Sequence, residues 1–380
     1  MRTLAFSMIL FVLAGCAVGP DYSRPDLQVP TGFRMAMSDG ETESFANLPW
    51  WDLLQDEELR RLIRIALAEN RDLQRAVASV EEFQSRLFIS TMEFAPKADV
   101  TANAPAFGRK ANFLFPGFPN PFNYYLQGNL SWELDIWGRV RRSNEAARGD
   151  LLAREDARRA VVLQLVSGVA EAYFELLQFD MQLGVAQRTL KSWEESVRIA
   201  DARLRQGMIS RIDADQFEAE RANAAARAAE LTRQMVQKEN QLSVLLGRPP
   251  GQVARGRSLT EQVLPPEVPA GLPSELLQRR PDLVQAEQEL AAATARIGVA
   301  KADRFPKLSI TGMLGVASPQ LSRLVGNETA FGVVGPGLVG PLLNAQILGF
   351  QQDAAEAQGR EALARYEQAV LVAFREVEDA

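Results

Sequence analysis

No proline occurs between Pro121 and Pro249, and two stretches inside that interval hold a strict 4-3 spacing. The first lines up Leu183, Ala186, Leu190, Trp193, Val197, Ala200 and Leu204. The second lines up Phe217, Arg221, Ala224, Ala228, Leu231, Met235, Lys238, Leu242 and Leu245. These are heptad seams, the pattern of helices that wind along one another. Between them lies Arg205-Gln206-Gly207-Met208-Ile209-Ser210, short enough for a tight antiparallel hairpin. Gly207 suits a left-handed helix stop, and Ser210 or Asp213 can cap the returning helix. A helix from about Ser143 to Arg205 would run roughly 90 Å at 1.5 Å per residue. No ordinary globular domain needs that length, although periodicity alone also admits a plain helical bundle. Alanines such as Ala222, Ala224 and Ala228 let such helices meet neighbours on more than one face.

The chain also contains strands, expected at about 97–106, 122–136, 307–316 and 330–342. From Phe122 to Ile136 the even positions are mostly apolar, among them Tyr124, Leu126, Leu130, Trp132 and Leu134. The odd positions include Gln127, Asn129, Ser131, Glu133 and Asp135. Period-two alternation gives one greasy and one wet face. In a membrane barrel the greasy face meets lipid and the wet face lines the lumen. Asp99, Asn129, Glu133 and Asp135 are then lumen candidates, and Trp132, Tyr124 and Tyr125 girdle candidates. The last strand is Gly-rich and alternates poorly. Four strands cannot close a barrel, and open edges are not tolerated in lipid. Either the strands form a soluble sheet or several chains share one barrel; alternation alone weighs these evenly.

The start of the chain reads as a secretory signal, with Arg2, an apolar run from Leu4 to Leu13, and small residues before Cys16. Cys16 is the only cysteine among the 380 residues. Leu13-Ala14-Gly15-Cys16 resembles a bacterial lipobox, which implies cleavage before Cys16 and lipidation of it. Ala17, rather than Asp, follows the cysteine, which resembles an outer-membrane address. Beyond Cys16 the densest apolar stretch, Val161 to Phe179, is interrupted by Glu171 and Glu175. The chain has no histidine, so His- or Cys-liganded metal sites and His-based triads are excluded. No Gly-rich phosphate loop or nucleophile elbow appears, which argues against an enzyme. A net charge of −6 gives no reason to expect nucleic acid.

One constant interval separates Asp72, Leu73, Ala76, Arg86, Pro96, Lys97 and Thr101 from Asp282, Leu283, Ala286, Arg296, Pro306, Lys307 and Thr311. The expected plan is a signal at 1–15, an N-terminal segment at 16–58, and a first repeat at 59–246. A Pro/Gly-rich connector at 247–272 and a second repeat at 273–380 follow, with Ser274 as helix cap. By this alignment the chain ends within the second repeat's long helix, so a second hairpin is expected beyond Ala380.

Several segments, in order, carry a family resemblance: Leu-Ala-Gly-Cys at 13–16, Trp50-Trp51, and Ser131 to Arg139 (SWELDIWGR). Val169 to Leu176 (VAEAYFEL), Leu245 to Gly251 (LLGRPPG) and Gly271 to Leu283 (GLPSELLQRRPDL) continue it. The chain resembles the TolC family of outer-membrane efflux proteins, in the lipoprotein branch serving tripartite RND-type pumps. The resemblance implies an α+β membrane protein, a homotrimer. Each chain would give four strands to a shared twelve-stranded barrel and helices to a long coiled-coil barrel in the periplasm. The implied function is a passive exit duct without cofactor, fed by an inner-membrane pump and a periplasmic adaptor. Arg205, Gly207, Met208, Ile209 and Ser210 match the family's hairpin tip, where adaptors dock. Phe107 to Pro121 would be an extracellular loop. Arg139, Arg141 and Arg142 are expected to form a solvated basic face, with lipid headgroups or a neighbouring chain as alternatives. The competing reading of the whole is a lipid-anchored periplasmic coiled-coil adaptor or structural lipoprotein without a pore.

Overall fold

The computed structural model describes residues 17–27, 54–104, 124–263, 277–326 and 329–379. Cys16, Trp50-Trp51, the Phe107 to Pro121 loop, most of the connector after 263 and Ser274 lie outside the described residues. In chain order the elements are α1 (Glu57–Glu69), α2 (Arg71–Met92), β1 (Lys97–Asn103) and β2 (Tyr124–Leu134). They continue with α3 (Arg139–Arg205), α4 (Arg211–Leu245), α5 (Pro281–Ala302), β3 (Lys307–Ser318), β4 (Ala330–Val339) and α6 (Ala345–Asp379). Contacts group the chain into two units, each assembled from separated stretches of sequence.

One unit takes in the described residues of 54–79 and 157–263. Its core is a three-helix contact. Leu59, Leu62, Ile63 and Ala66 of α1 share one face by their 3-4 spacing, and all are buried. They pack with Leu165, Val169, Ala172, Tyr173 and Leu176 of α3 and Leu242 and Leu246 at the end of α4. One window of α3 is apolar enough by composition to cross a membrane. The apolar residues of α3 named above are buried in this core instead. Farther along, Ala186, Leu190, Trp193, Ala200 and Leu204 of the first predicted seam are each less exposed than their flanking positions. The hairpin is antiparallel: Lys238 pairs with Glu175 at 2.6 Å, and Trp193 meets Phe217 with ring centroids 6.2 Å apart.

Glycine closes this core at one point. Gly247 sits at φ 71°, and a Cβ there would lie 2.2 Å from the carbonyl oxygen of Glu69. The Gly247 and Arg248 N–H groups donate to Val244 and Ser243, ending α4 as a Schellman stop. Arg248 then grips Glu69 through two hydrogen bonds, at 2.9 and 2.8 Å.

The other unit holds the sheet, α5, α6 and residues 17–27. The strands run antiparallel in the order β1-β2-β3-β4. Pairs such as Ala98 with Leu130, Trp132 with Ile310 and Leu308 with Leu338 keep even residues opposite even residues throughout. One face of the sheet is therefore built from even-numbered residues of all four strands. Val100, Leu314, Val334 and Leu338 on that face are each at least 70% exposed. The strands are slightly displaced from expectation; β2 stops at Leu134 and β4 at Val339, before Gly340 and Pro341.

Residues 17–27 lie against this unit. The Val18 N–H donates to Trp137, and Asp21 pairs with Arg142. Tyr22 and Arg24 both donate to Glu287 of α5. Gly19, at φ 103°, approaches so closely that a Cβ would fall 2.4 Å from Gly298 Cα. Leu283 and Leu290 of α5 pack with Tyr366, Val370 and Ala373 of α6 beneath Tyr22 and Leu27.

Candidate functional site

The odd-numbered face of the sheet carries the polar residues. Asn129 Nδ2 donates to Asp99 Oδ2 at 2.7 Å and contacts Thr101 Oγ1 at 3.1 Å. Gln127 Nε2 donates to Asn129 Oδ1 at 3.0 Å. Asp99, Asn129 and Glu133 thus share the wet face, but only the first two belong to one polar ladder. Glu133, near the helix-side end of β2, accepts two hydrogen bonds from Arg139.

Asp135 requires a correction. It is not a strand residue: it follows the end of β2, and its carboxylate accepts the N–H groups of Val140 and Arg141, both at 2.9 Å. A helix start leaves such donors unsatisfied and carries positive partial charge, so a carboxylate is favoured there. With Gly138 turning the chain at φ 78°, this cap starts α3 at Arg139, earlier than the predicted Ser143.

The three arginines are likewise not a solvated basic face. Arg139 is held by Glu133, Arg141 by Asp135, and Arg142 by Asp21 and Glu145. Arg142 is only 5% exposed. The hydrogen bonds that Arg139 donates to Glu133 raise its pKa above the ordinary range, against the opposing effect of burial. Sequence reading missed this because Asp21 is distant from Arg142 in the chain, and the alternation that marks Glu133 as a strand-face residue says nothing of its pairing with Arg139.

At the hairpin tip α3 stops by another Schellman motif. Gly207 is at φ 73°; its N–H donates to Leu204 and the Met208 N–H to Arg203, both at 2.9 Å. Ser210 and Asp213 then form a reciprocal capping box that begins α4. Both predicted caps are therefore used. Arg205, Gly207, Met208 and Ser210 are exposed, Met208 to 68%, whereas Ile209 is half-buried. Ile212, 71% exposed, adds an apolar side chain at the tip that the turn signals did not point to.

A polar hub escaped the sequence altogether. Asp56, 3% exposed, caps α1 through the Glu58 and Leu59 N–H groups. Its other oxygen accepts from Tyr173 Oη, the Arg257 N–H and Gln262 Nε2. Burial pushes Asp56 up, but the hydrogen bonds from Gln262, Leu59, Tyr173 and Arg257 prevail and hold its carboxyl below the usual range. Burial, reinforced by Asp56, pushes the Tyr173 hydroxyl up to about 12. Among the described residues no group of acidic, histidine or cysteine side chains is arranged to hold a metal ion.

The outer membrane efflux protein family model matches residues 62–248 and 272–380. The cation efflux system protein CusC of Escherichia coli is 32% identical over 389 residues, covering 100% of this chain and 82% of CusC. A probable outer membrane lipoprotein, SilC of Salmonella typhimurium, is 30% identical over 386 residues, covering 100% and 82%. The open-state structure of the Neisseria gonorrhoeae MtrE outer membrane channel superposes with a TM-score of 0.81 at 31% identity. That match spans 96% of this chain and 81% of MtrE. The helix-rich plan with one four-stranded sheet is thus that of solved outer-membrane channels. The chain belongs to the outer membrane efflux protein family, and it functions as the outer-membrane channel of an efflux system.

Proposed function

We propose that three copies of the chain close one twelve-stranded barrel and form a passive duct from periplasm to exterior. The observation that carries this is the open sheet: β1 and β4 are its outer strands, and its even face is apolar. Lipid offers no hydrogen bonds to a strand edge, so β1 of one copy must pair with β4 of another. The meander makes that pairing antiparallel, and three copies bring the strand number into the range of known barrels. The odd face then lines the lumen, and the duct needs no cofactor and performs no catalysis.

An internal duplication fits the same design. Helix Arg71–Met92 leads into a strand at Lys97, and helix Pro281–Ala302 leads into one at Lys307. We read 59–246 and 273–380 as the two repeats joined by the connector at 247–272.

Cys16 is read as the lipid attachment point, on the strength of its lipobox and of its likeness to a lipoprotein relative. The tip formed by Arg205, Gly207, Met208, Ile209 and Ser210 is read as the docking point for a periplasmic adaptor of a tripartite assembly with an inner-membrane RND-type pump. A wide duct selects weakly, so the pump would choose the cargo. The adaptor reading without a pore is disfavoured by the four-stranded sheet with its single apolar face.

Purified protein should form detergent-stable trimers and ion-conducting pores in planar bilayers. A monodisperse, water-soluble monomer that leaves bilayers silent would overturn the duct.

A further inference from the structure

The wet face of the sheet is not uniformly wet. The registers link Asp99 to Asn129, Asn129 to Met313, and Met313 to Val333 in one cross-strand row. The next row outward runs Thr101, Gln127, Gly315, Phe331. With strands about 4.8 Å apart, each row measures about 14 Å across. In both rows the β1–β2 half is polar, and the β3–β4 half carries a thioether, a valine and an aromatic ring.

The two halves differ in what they leave unsatisfied. Asp99 receives hydrogen bonds from the neutral Asn129 and Thr101, and among the described residues no cation pairs with it. Val333 is 63% exposed on the same face where β1 and β2 hold a carboxylate, amides and a hydroxyl. On β4 the period-two rule fails: Val334 and Leu338 serve the even face while Phe331, Val333 and Val339 occupy the odd one. Gly315 keeps the patch flat, because a Cβ there would lie 2.5 Å from the Leu126 carbonyl oxygen.

We propose that these two rows form a contact belt for solutes bearing a positive charge beside an apolar body, with Asp99 and Val333 as specificity-determining residues. The carboxylate supplies the attraction for the charge, and Met313, Phe331 and Val333 supply apolar contact about 10–14 Å away across the sheet. Organic cations with alkyl or aryl groups match this spacing; compact inorganic ions use only the carboxylate, and amphiphilic anions only the apolar half. The belt rests on the channel reading, which turns the odd face into the lumen.

The test is block of open-channel current in planar bilayers by tetraethylammonium, octyltrimethylammonium and octanesulfonate. Octyltrimethylammonium, whose chain reaches that distance from its charge, should block most tightly. Val333→Thr, which keeps shape and β-branching, should weaken octyltrimethylammonium block about five-fold, the loss expected for a few tens of Å² of apolar contact. It should leave tetraethylammonium block and open-channel conductance unchanged. Asp99→Asn should weaken block by both cations and lower the preference for K⁺ over Cl⁻. Equal block by all three probes in the unmodified protein, or unaltered block in both variants, overturns the belt while leaving the channel intact. Absence of any current overturns the channel reading itself.

Discussion

The hydroxyl of Tyr173 donates to the buried carboxylate of Asp56 at 3.0 Å and itself accepts the Gly256 N–H at 2.9 Å. This chain of bonds ties the cap of α1, the middle of α3 and the segment after α4 into one point, beside a core of Leu59, Val169 and Leu242. Losing the Asp56 carboxylate strands several donors at once, and losing the Tyr173 hydroxyl strands the Gly256 N–H and removes one of the bonds to Asp56.

Tyr173→Phe should therefore destabilise the protein by ~1–3 kcal/mol, the cost of a buried polar group left unpaired. Thermal unfolding of the detergent-solubilised protein checks this. Pore conductance in the folded fraction should be unchanged.

Acid should weaken the same point. Asp56 is held below its ordinary pKa in the folded protein, so its stabilising contribution is fully present above the unfolded-state value of about 3.9. It is lost as pH falls from there through the folded-state value. Melting temperature should drop across that window, and Asp56→Asn should flatten the drop while lowering stability at neutral pH. An equally steep fall in the variant would assign the acid transition to other groups.

Two glycines of the sheet should respond in opposite ways. Nothing lies within 4 Å of a Cβ placed on Gly335, on the odd face, so Gly335→Trp should fold, insert and lower single-channel conductance. At Gly315 a Cβ meets the partner strand's backbone, so Gly315→Val should disrupt β2–β3 pairing and reduce the yield of heat-resistant trimers. Unaltered conductance in the Gly335 variant would place the odd face away from the lumen.

The tip prediction concerns docking rather than folding. Met208→Asp with Ile212→Asp removes the two exposed apolar side chains without touching the Schellman stop or the Ser210 box. Adaptor binding should weaken at least ten-fold, about the effect of losing two small apolar contacts. Trimer stability should be unaffected. Gly207→Pro acts differently, because proline cannot reach φ 73° and removes the N–H that Leu204 accepts. Efflux should fall in this variant while trimers persist.

The N-terminal segment offers a last check. Gly19→Val would drive a side chain into the Gly298 backbone, so residues 17–27 should come away from α5. Chymotryptic cleavage after Tyr22 should then accelerate in the folded protein, whereas a surface role for this segment predicts no change.

Local periodicity made the elements legible. The heptads marked α3 and α4, alternation marked β2, and glycine with serine marked the tip, because each signal is carried by residues close in sequence. Even the parity of the sheet was implicit, since antiparallel pairing with even-to-even registers preserves alternation from strand to strand. The site was less legible. Asp135 fits the strand's alternation as well as it fits a helix cap, and only the turn at Gly138 decides between them. The pairing of Arg142 depends on Asp21, and the Asp56 hub on Tyr173, Arg257 and Gln262, all distant in sequence.

The sequence by itself determined the long helices, the hairpin stop and four strands too few to close a barrel, because spacing, capping and edge chemistry act over a few residues. Tertiary structure decided which charges are neutralised, where α3 begins, and that the wet face is polar on β1 and β2 but apolar on β4. Those outcomes depend on strand register and on close backbone approaches such as Gly19 to Gly298 and Gly247 to Glu69. Pairings of that kind join residues through space, and no local pattern in the chain encodes them.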